Sequence, residues 1–510
     1  MNSLTKEKKE VILVILVFLL GVFFRLYRLD TVPFGTNHDG AWSALWAIEL
    51  SQKPWPIQVF SDQPWLGEAM PRYSMALFIK LFGPTIFSLR MGMMMFTIIA
   101  LPPFFLLVKL LFKNYPLALF STFLLAVSGW DITYAKSGWA ASSIPVTTII
   151  ATYSLLKAVK TKKTSFFALT GILLALTFNT YRGSFMPIII GGVFLWYLFR
   201  NFKNYREILL KYLIFFVFFI VTVSPIAWYV INHWGNYMGR PKSLYVGYRV
   251  AQAGNLDPLF ENIKKASLMY NLHGGGDDFF IKEPLLDFPT NWLFLLGLVV
   301  ALARIKKKEY FFLFFWFLAS LIPSLAGTPN GSHAIGSLPP VYILSGIGLL
   351  FIYEITSKIK IAKNLGLNNI VVVLILSSAA INTFNLYLGP NRHELFGFYP
   401  ETTVVGNYMK PRVSLTDFYL TNNYPRDALT FLTYQGGNPW VKHYTWFDNG
   451  NDFLKVEKKD KKLAFIMFKN EGNRPLAMAL ENKYPSGNLF VLPYVDDNIN
   501  RPAAWVFEVD

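Results

Sequence analysis

The chain has 510 residues, 53% hydrophobic and 17% aromatic, with only 15% charged and a mean hydropathy of +0.36. Ordinary soluble globular proteins carry charge on about a quarter of their residues, so this balance excludes that class and points to a polytopic membrane protein. There is no cysteine, which excludes a disulfide framework and a thiolate metal site.

A membrane span needs roughly 17–25 mostly apolar residues. The first run, residues 11–24, follows a basic start as in a secretory signal. No small-x-small cleavage site precedes "RLYRLD", so it is expected to remain as the first helix. Further apolar runs cover 86–112, 115–129, 141–157, 166–180, 184–199, 209–231, 291–303, 309–325, 335–354 and 369–386. They predict a mainly α, multi-pass fold of about eleven spans. Basic clusters punctuate them: Lys6, Lys8 and Lys9; Lys109 and Lys113; Lys157, Lys160, Lys162 and Lys163; Arg200, Lys203 and Arg206; Arg304 and Lys306 to Lys308; Lys358, Lys360 and Lys363. With eleven spans these all fall on one side, the positive-inside pattern of a plasma-membrane protein. The net charge of +17 therefore encodes topology, and no nucleic-acid partner is expected.

The opposite, extracytoplasmic side holds a first outer loop over 25–85, a second long loop over 232–290, three turns, and a tail over 387–510. "YSMALFIKLFG" (73–83) is short and amphipathic, and reads as an interfacial helix within the first loop. In the tail, "FYLTNNY", "KLAFIMF" and "NLFVLPYV" read as strands, while "PRDALTFLTYQ" and "RPLAMALENKYPSG" read as helices. The expected organisation is a membrane domain over 1–386 and a small α/β domain over 387–510.

The candidate functional residues lie on the outer side, where ionisable groups beside apolar helices are candidates for chemistry. In "FGTNHDGAWSALWA", His38 and Asp39 head an apolar helical pattern. Asp39 is placed near an N-cap, which a cap without chemistry explains equally well. Glu68 and Arg72 are spaced i, i+4, either as an ordinary surface pair or as an acid or metal ligand beside a phosphate contact. Asp131 and Lys136 lie between Trp130 and Trp139, which have the spacing of interfacial anchors. Arg182, on an outer turn, needs an anionic partner such as a lipid phosphate. His333 lies on another turn, where a lone histidine is more often structural. His273, Asp277 and Asp278 offer oxygen and nitrogen ligands without calcium-loop spacing. No P-loop, GxSxG, HExxH or dinucleotide fingerprint is present.

Several phrases resemble one family. "FRLYRLDTVPFGTNHDGAWSALWA", "GEAMPRYSMALFIKLFGPTIFSLRMG", "SGWDITYAKSGWAASSIPVTTII", "NLHGGGDDFFIKEPLLDFPTNW" and "SHAIGSLPPVYILSGIGL" resemble, in order and in side, segments of GT-C membrane glycosyltransferases. The similar group comprises bacterial and archaeal relatives of protein O-mannosyltransferases and lipid A aminoarabinose transferases, and the resemblance runs over roughly 15–355. It implies a polyprenyl-phosphate-linked sugar donor, an acceptor that is a protein, lipid or polysaccharide, and transfer with inversion. It further implies catalytic roles for Asp39, His38 and Asp131, and phosphate or lipid-donor binding by Arg72, Lys136, Arg182 and His333. Glu68 and Asp39 are the implied ligands of a divalent metal ion. The chain differs from the family pattern in its single loop-one aspartate, in "GWAAS" around Ala140, and in Asn330 and His333 before "AIG". The alternative, a transporter or flippase of lipid-linked sugars, would place ionisable groups near the bilayer midplane in repeated halves.

Overall fold

The computed structural model describes residues 5–53, 57–61, 67–181, 205–273, 284–389, 397–421, 426–468, 473–494 and 502–510. In chain order its principal helices begin with α1 (Lys6–Leu26), α2 (His38–Gln52), α3 (Met70–Phe82), α4 (Ile86–Phe112), α5 (Tyr115–Ala126), α6 (Gly129–Lys136), α7 (Ile144–Thr161) and α8 (Thr164–Phe178). They continue with α9 (Tyr205–Asn232), α10 (Phe288–Ala303), α11 (Lys308–Ser320), α12 (Leu338–Lys358), α13 (Leu367–Thr383), α14 (Pro400–Met409), α15 (Arg426–Leu432) and α16 (Asn473–Lys483). Residues fall into two units. One comprises Met1–Leu29, Trp55–Pro71 and Met93–Asn391; the other comprises Asp30–Pro54, Arg72–Gly92 and Arg392–Asp510. The unit that holds the tail thus also takes two stretches of the first outer loop.

Among the described residues, six helices are long and apolar enough to cross a membrane: Ile86–Phe112, Ala140–Thr161, Leu209–Asn232, Lys308–Ala326, Ile335–Lys358 and Leu367–Leu388. The pair α5 and α6, bent by 41°, makes a seventh when taken as one span. The expected runs at 11–24, 166–180 and 291–303 are helical as α1, α8 and α10, and the run at 184–199 lies outside the described residues. The chain is a multi-pass membrane protein of mainly α structure, and six or seven of the expected spans meet the length and hydropathy criteria. The helix α3 is 13 residues long, too short to span. It is amphipathic as expected, burying Met75 and Ile79 while exposing Leu77, Leu81 and Phe82.

The first unit packs around α12, whose apolar stretch is 89% buried, whereas that of α9 is only 11% buried. The former is therefore the bundle's core helix and the latter a peripheral one. At the crossing of α10 and α12, a Cβ on Gly297 would meet the Leu344 carbonyl and one on Gly348 would meet the Leu293 carbonyl. Glycine on both sides lets the backbones touch, the usual device where apolar helices pack without a hydrophobic drive between them.

A charged group closes the junction between α5 and α6. Arg25 in α1 is fully buried. Its guanidinium donates to the Leu125 carbonyl at 3.2 Å, the Ala126 carbonyl at 2.7 Å, the Gly21 carbonyl at 3.2 Å and Thr97 Oγ1 at 3.0 Å. It also pairs with Asp131 Oδ2 at 2.5 Å. One side chain thus gives the last carbonyl of α5, that of Ala126, a donor, shares the Leu125 carbonyl with the Ser128 amide, and neutralises an acid in the first turn of α6. Ser128 caps that turn, accepting from the Asp131 amide at 3.1 Å.

In the second unit a five-stranded sheet has the order β2-β1-β3-β5-β4. Its strands are β1 (Thr416–Thr421), β2 (Thr445–Phe447), β3 (Lys462–Phe468), β4 (Asn488–Pro493) and β5 (Pro502–Val509). The β1 strand pairs in parallel with β2 and β3, and β5 pairs antiparallel with β3 and β4. Six of the seven β3 residues are buried, because apolar clusters cover both faces of the sheet. That explains its unbroken apolar sequence.

Replacing Arg25 with methionine should leave the Asp131 carboxylate buried without its counter-ion and cost about 3–5 kcal/mol. Replacing both residues with apolar ones should recover part of that loss. Thermal unfolding of the detergent-solubilised single and double variants checks this, and equal losses in the two would remove the ion pair as the cause.

Candidate active site

The first turn of α2 carries the residues singled out in the first loop. Asn37, rather than Asp39, is the N-cap: its side chain accepts from the Gly40 amide at 2.7 Å. Asp39, expected near an N-cap, falls inside the first turn, where the helix dipole favours negative charge. His38 and Asp39 are partly buried, while Gly40, Ala41 and Ala44 behind them are buried. The His38 ring packs against Trp42 one turn along, tilted by 32° with centroids 5.2 Å apart, and its Nδ1 lies 3.0 Å from Asp427 Oδ2 in α15.

The approach to this turn is fixed from α4. Arg90 is buried and donates to the Pro33 carbonyl at 2.8 Å and the Gly35 carbonyl at 2.6 Å. Gly35 has φ +102°, and a Cβ there would strike the Phe398 carbonyl. Only glycine suits that position. Arg72, in the first turn of α3, is buried, with its guanidinium 5.4 Å from the Trp46 ring centre of α2. Glu68 stands before α3, in an isolated antiparallel bridge with Phe60, and is buried. The expected i, i+4 helical spacing of Glu68 and Arg72 is corrected accordingly, since the helix begins at Met70.

The remaining described candidates belong to the first unit. Asp131 is the partner of Arg25, so its carboxylate serves as a counter-ion inside the bundle. Lys136 is buried, with Nζ 3.2 Å from the Tyr27 carbonyl. His333 Nδ1 lies 2.6 Å from the Thr328 carbonyl, and its amide donates to Asn330 Oδ1 at 2.8 Å. Ala140 opens a buried 3-10 turn, Ala140–Ser143. Sequence reasoning missed what joins these turns. Trp130 Nε1 donates to the Gly331 carbonyl at 3.0 Å, Tyr342 Oη donates to Ser128 Oγ at 2.6 Å, and the Tyr270 and Ser337 hydroxyls meet at 2.5 Å. His273 is exposed. Arg182, Asp277 and Asp278 lie outside the described residues.

The outer-loop constellation therefore sorts into two groups: His38, Asp39 and Arg72 in one unit, and Glu68, Asp131, Lys136 and His333 in the other. Among the described residues no three histidine or carboxylate side chains gather as a metal site.

Residues 62–229 match the dolichyl-phosphate-mannose-protein mannosyltransferase family. Over the whole chain the fold is similar to ArnT from Cupriavidus metallidurans in the apo state, with a TM-score of 0.57, 13% identity, and 99% of this chain and 98% of that one covered. The same protein bound to undecaprenyl phosphate gives a TM-score of 0.55 at 12% identity, covering 99% and 98%. The chain shares the fold of this ArnT over its whole length. The apo oligosaccharyltransferase from Archaeoglobus fulgidus is also similar in fold, with a TM-score of 0.56, 13% identity, and 98% and 76% of the two chains covered. No curated protein sequence matches the chain.

One further acid of the helical unit is perturbed by burial. Asp287 caps α10, accepting from the Thr290 amide at 3.2 Å, and burial pushes its carboxyl up from 3.8 to about 6. A raised carboxyl disfavours the folded state once ionised. The cost is absent below about pH 4, grows as pH rises to 6 and is complete above it. Asparagine keeps the cap without the charge. Asp287→Asn should therefore raise the melting temperature at pH 7.5, raise it less at pH 4.5 and leave it nearly unchanged at pH 3.5, and a gain of equal size at all three pH values would refute the burial argument.

Proposed function

We propose that the protein transfers a sugar from a polyprenyl-phosphate-linked donor to an acceptor hydroxyl, on the extracytoplasmic face of the cell membrane and with inversion. The reading is carried by the placement of Asp39, a partly buried carboxylate in the first turn of a capped helix that the folded second unit holds in place. The mannosyltransferase family match and the undecaprenyl phosphate bound by ArnT support the substrate class.

An alcohol is a poor nucleophile, and a positioned base raises its reactivity. Asp39 takes the acceptor's proton as the acceptor oxygen bonds to the anomeric carbon. The bond from that carbon to the phosphate oxygen breaks, and the lipid phosphate leaves with the electron pair. Cations must offset the charge that develops there; Arg72, in the same unit as Asp39, is assigned that role. The polyprenyl chain, bound against apolar helices, supplies binding energy remote from the reacting carbon.

Asp39→Asn keeps the shape of the side chain and removes the base. It should lower transfer by about 10²–10⁴-fold while leaving donor binding largely intact. Purified wild type and variant are incubated with lipid extract and membrane acceptors of the source organism, and glycosylated polyprenyl phosphates are followed by mass spectrometry. Depletion by wild type alone is the expected result, and the mass lost identifies the sugar. Equal depletion by both removes Asp39 from the chemistry, and a wild type that consumes no lipid-linked sugar overturns the transferase reading.

A further inference from the structure

The helix α2 is 15 residues long and is anchored by residues nearly four hundred positions later in the chain. At its start, His38 Nδ1 lies 3.0 Å from Asp427 Oδ2. At its end, Trp440 Nε1 donates to Glu49 Oε2 at 2.9 Å, and Gln52 Nε2 donates to Tyr434 Oη and to the Gly437 carbonyl, each at 2.8 Å. Arg72 covers Trp46 between them. The anchors at the end need only hold the helix on its support. The anchor at the start acts on the turn that contains Asp39.

We propose that Asp427 is a positioning residue for the transfer reaction, acting through His38 to fix the orientation of the Asp39 turn. The inference rests on the transferase reading above. The His38 ring is gripped on two sides, by the Trp42 indole against its face and by the Asp427 carboxylate at its Nδ1 edge. His38 and Asp39 are consecutive residues of one helical turn, so a rotation that frees the imidazole also moves the carboxylate. The Asp427 side chain is 21% exposed and that of His38 is 45% exposed. The carboxylate is thus the better-shielded member, and it sits on α15, whose Ala428, Leu429 and Phe431 are buried. The contact therefore ties the first turn of α2 to a packed helix. The C-terminal residues thereby become part of the catalytic apparatus through geometry rather than through contact with substrate.

A misplacement of about 1 Å at a reacting group costs on the order of 10²-fold in rate. Asp427→Ala should lower kcat by about 10–100-fold with the donor KM little changed, and Asp427→Asn, which still accepts from Nδ1–H, should restore most of the rate. A second measurement reads position without turnover. The chain has no cysteine, so Asp39→Cys introduces a single thiol whose maleimide alkylation rate reports how tightly the turn is held. Adding Asp427→Ala should change that rate several-fold, and adding Asp427→Asn should not. An unchanged kcat in Asp427→Ala, or equal alkylation rates with and without it, overturns the inference. So does a loss of kcat in Asp427→Ala that Asp427→Asn fails to restore and that accompanies a fall in melting temperature. Absence of transfer by the unaltered protein overturns the transferase reading, and alkylation then decides separately whether Asp427 holds the turn.

Discussion

A helix of 15 residues is marginal in water by itself, and α2 carries the candidate base in its first turn, where fraying begins. Its order comes from outside its own sequence. Asn37 closes the first turn, Arg90 ties down the segment that enters it, and Asp427, Tyr434 and Trp440 hold it along its length. The first outer loop is therefore folded as part of the unit that contains the tail. A base that must meet a hydroxyl at hydrogen-bonding distance gains from being fixed before substrate arrives, because orienting it then requires no further ordering.

A different constraint governs the helical unit. A buried guanidinium is tolerated only where every donor finds an acceptor. Arg25 meets that requirement by spending its donors on three backbone carbonyls, a threonine hydroxyl and a carboxylate. The bend between α5 and α6 exposes the carbonyls, and Arg25 closes them. The same pairing explains how a buried Asp131 is tolerated beside Trp130. The polar contacts that follow, Ser128 with Tyr342 and Trp130 with Gly331, extend from that point and join turns that are two hundred residues apart.

Charge was legible in the sequence by type and by side, and much less by partner. Asp39, Arg72 and Lys136 stood out because ionisable groups next to apolar runs are rare. Arg25 and Arg90 are as firmly buried as any of them, yet Arg25 reads as an ordinary charge at the end of a span and Arg90 as one near the start of another. In the tail, β3 was recognisable from its run of apolar residues, and α15 and α16 from their helical spacing. The strand β2 was too short to register, at three residues, and β5 begins with Pro-Ala-Ala, which carries little strand preference.

Local composition alone determined that the chain is a multi-pass, mainly helical membrane protein with a small mixed domain at its end. Hydropathy and residue periodicity are properties of neighbours along the chain, and they survive without any knowledge of long-range contacts. The tertiary structure decided which residues share a unit. It put Asp131 with Arg25, His38 with Asp427, and Glu68 in a bridge rather than on a helix. Those pairings depend on which distant segments pack together to satisfy buried charges and backbone groups, and no spacing within a single segment records that choice.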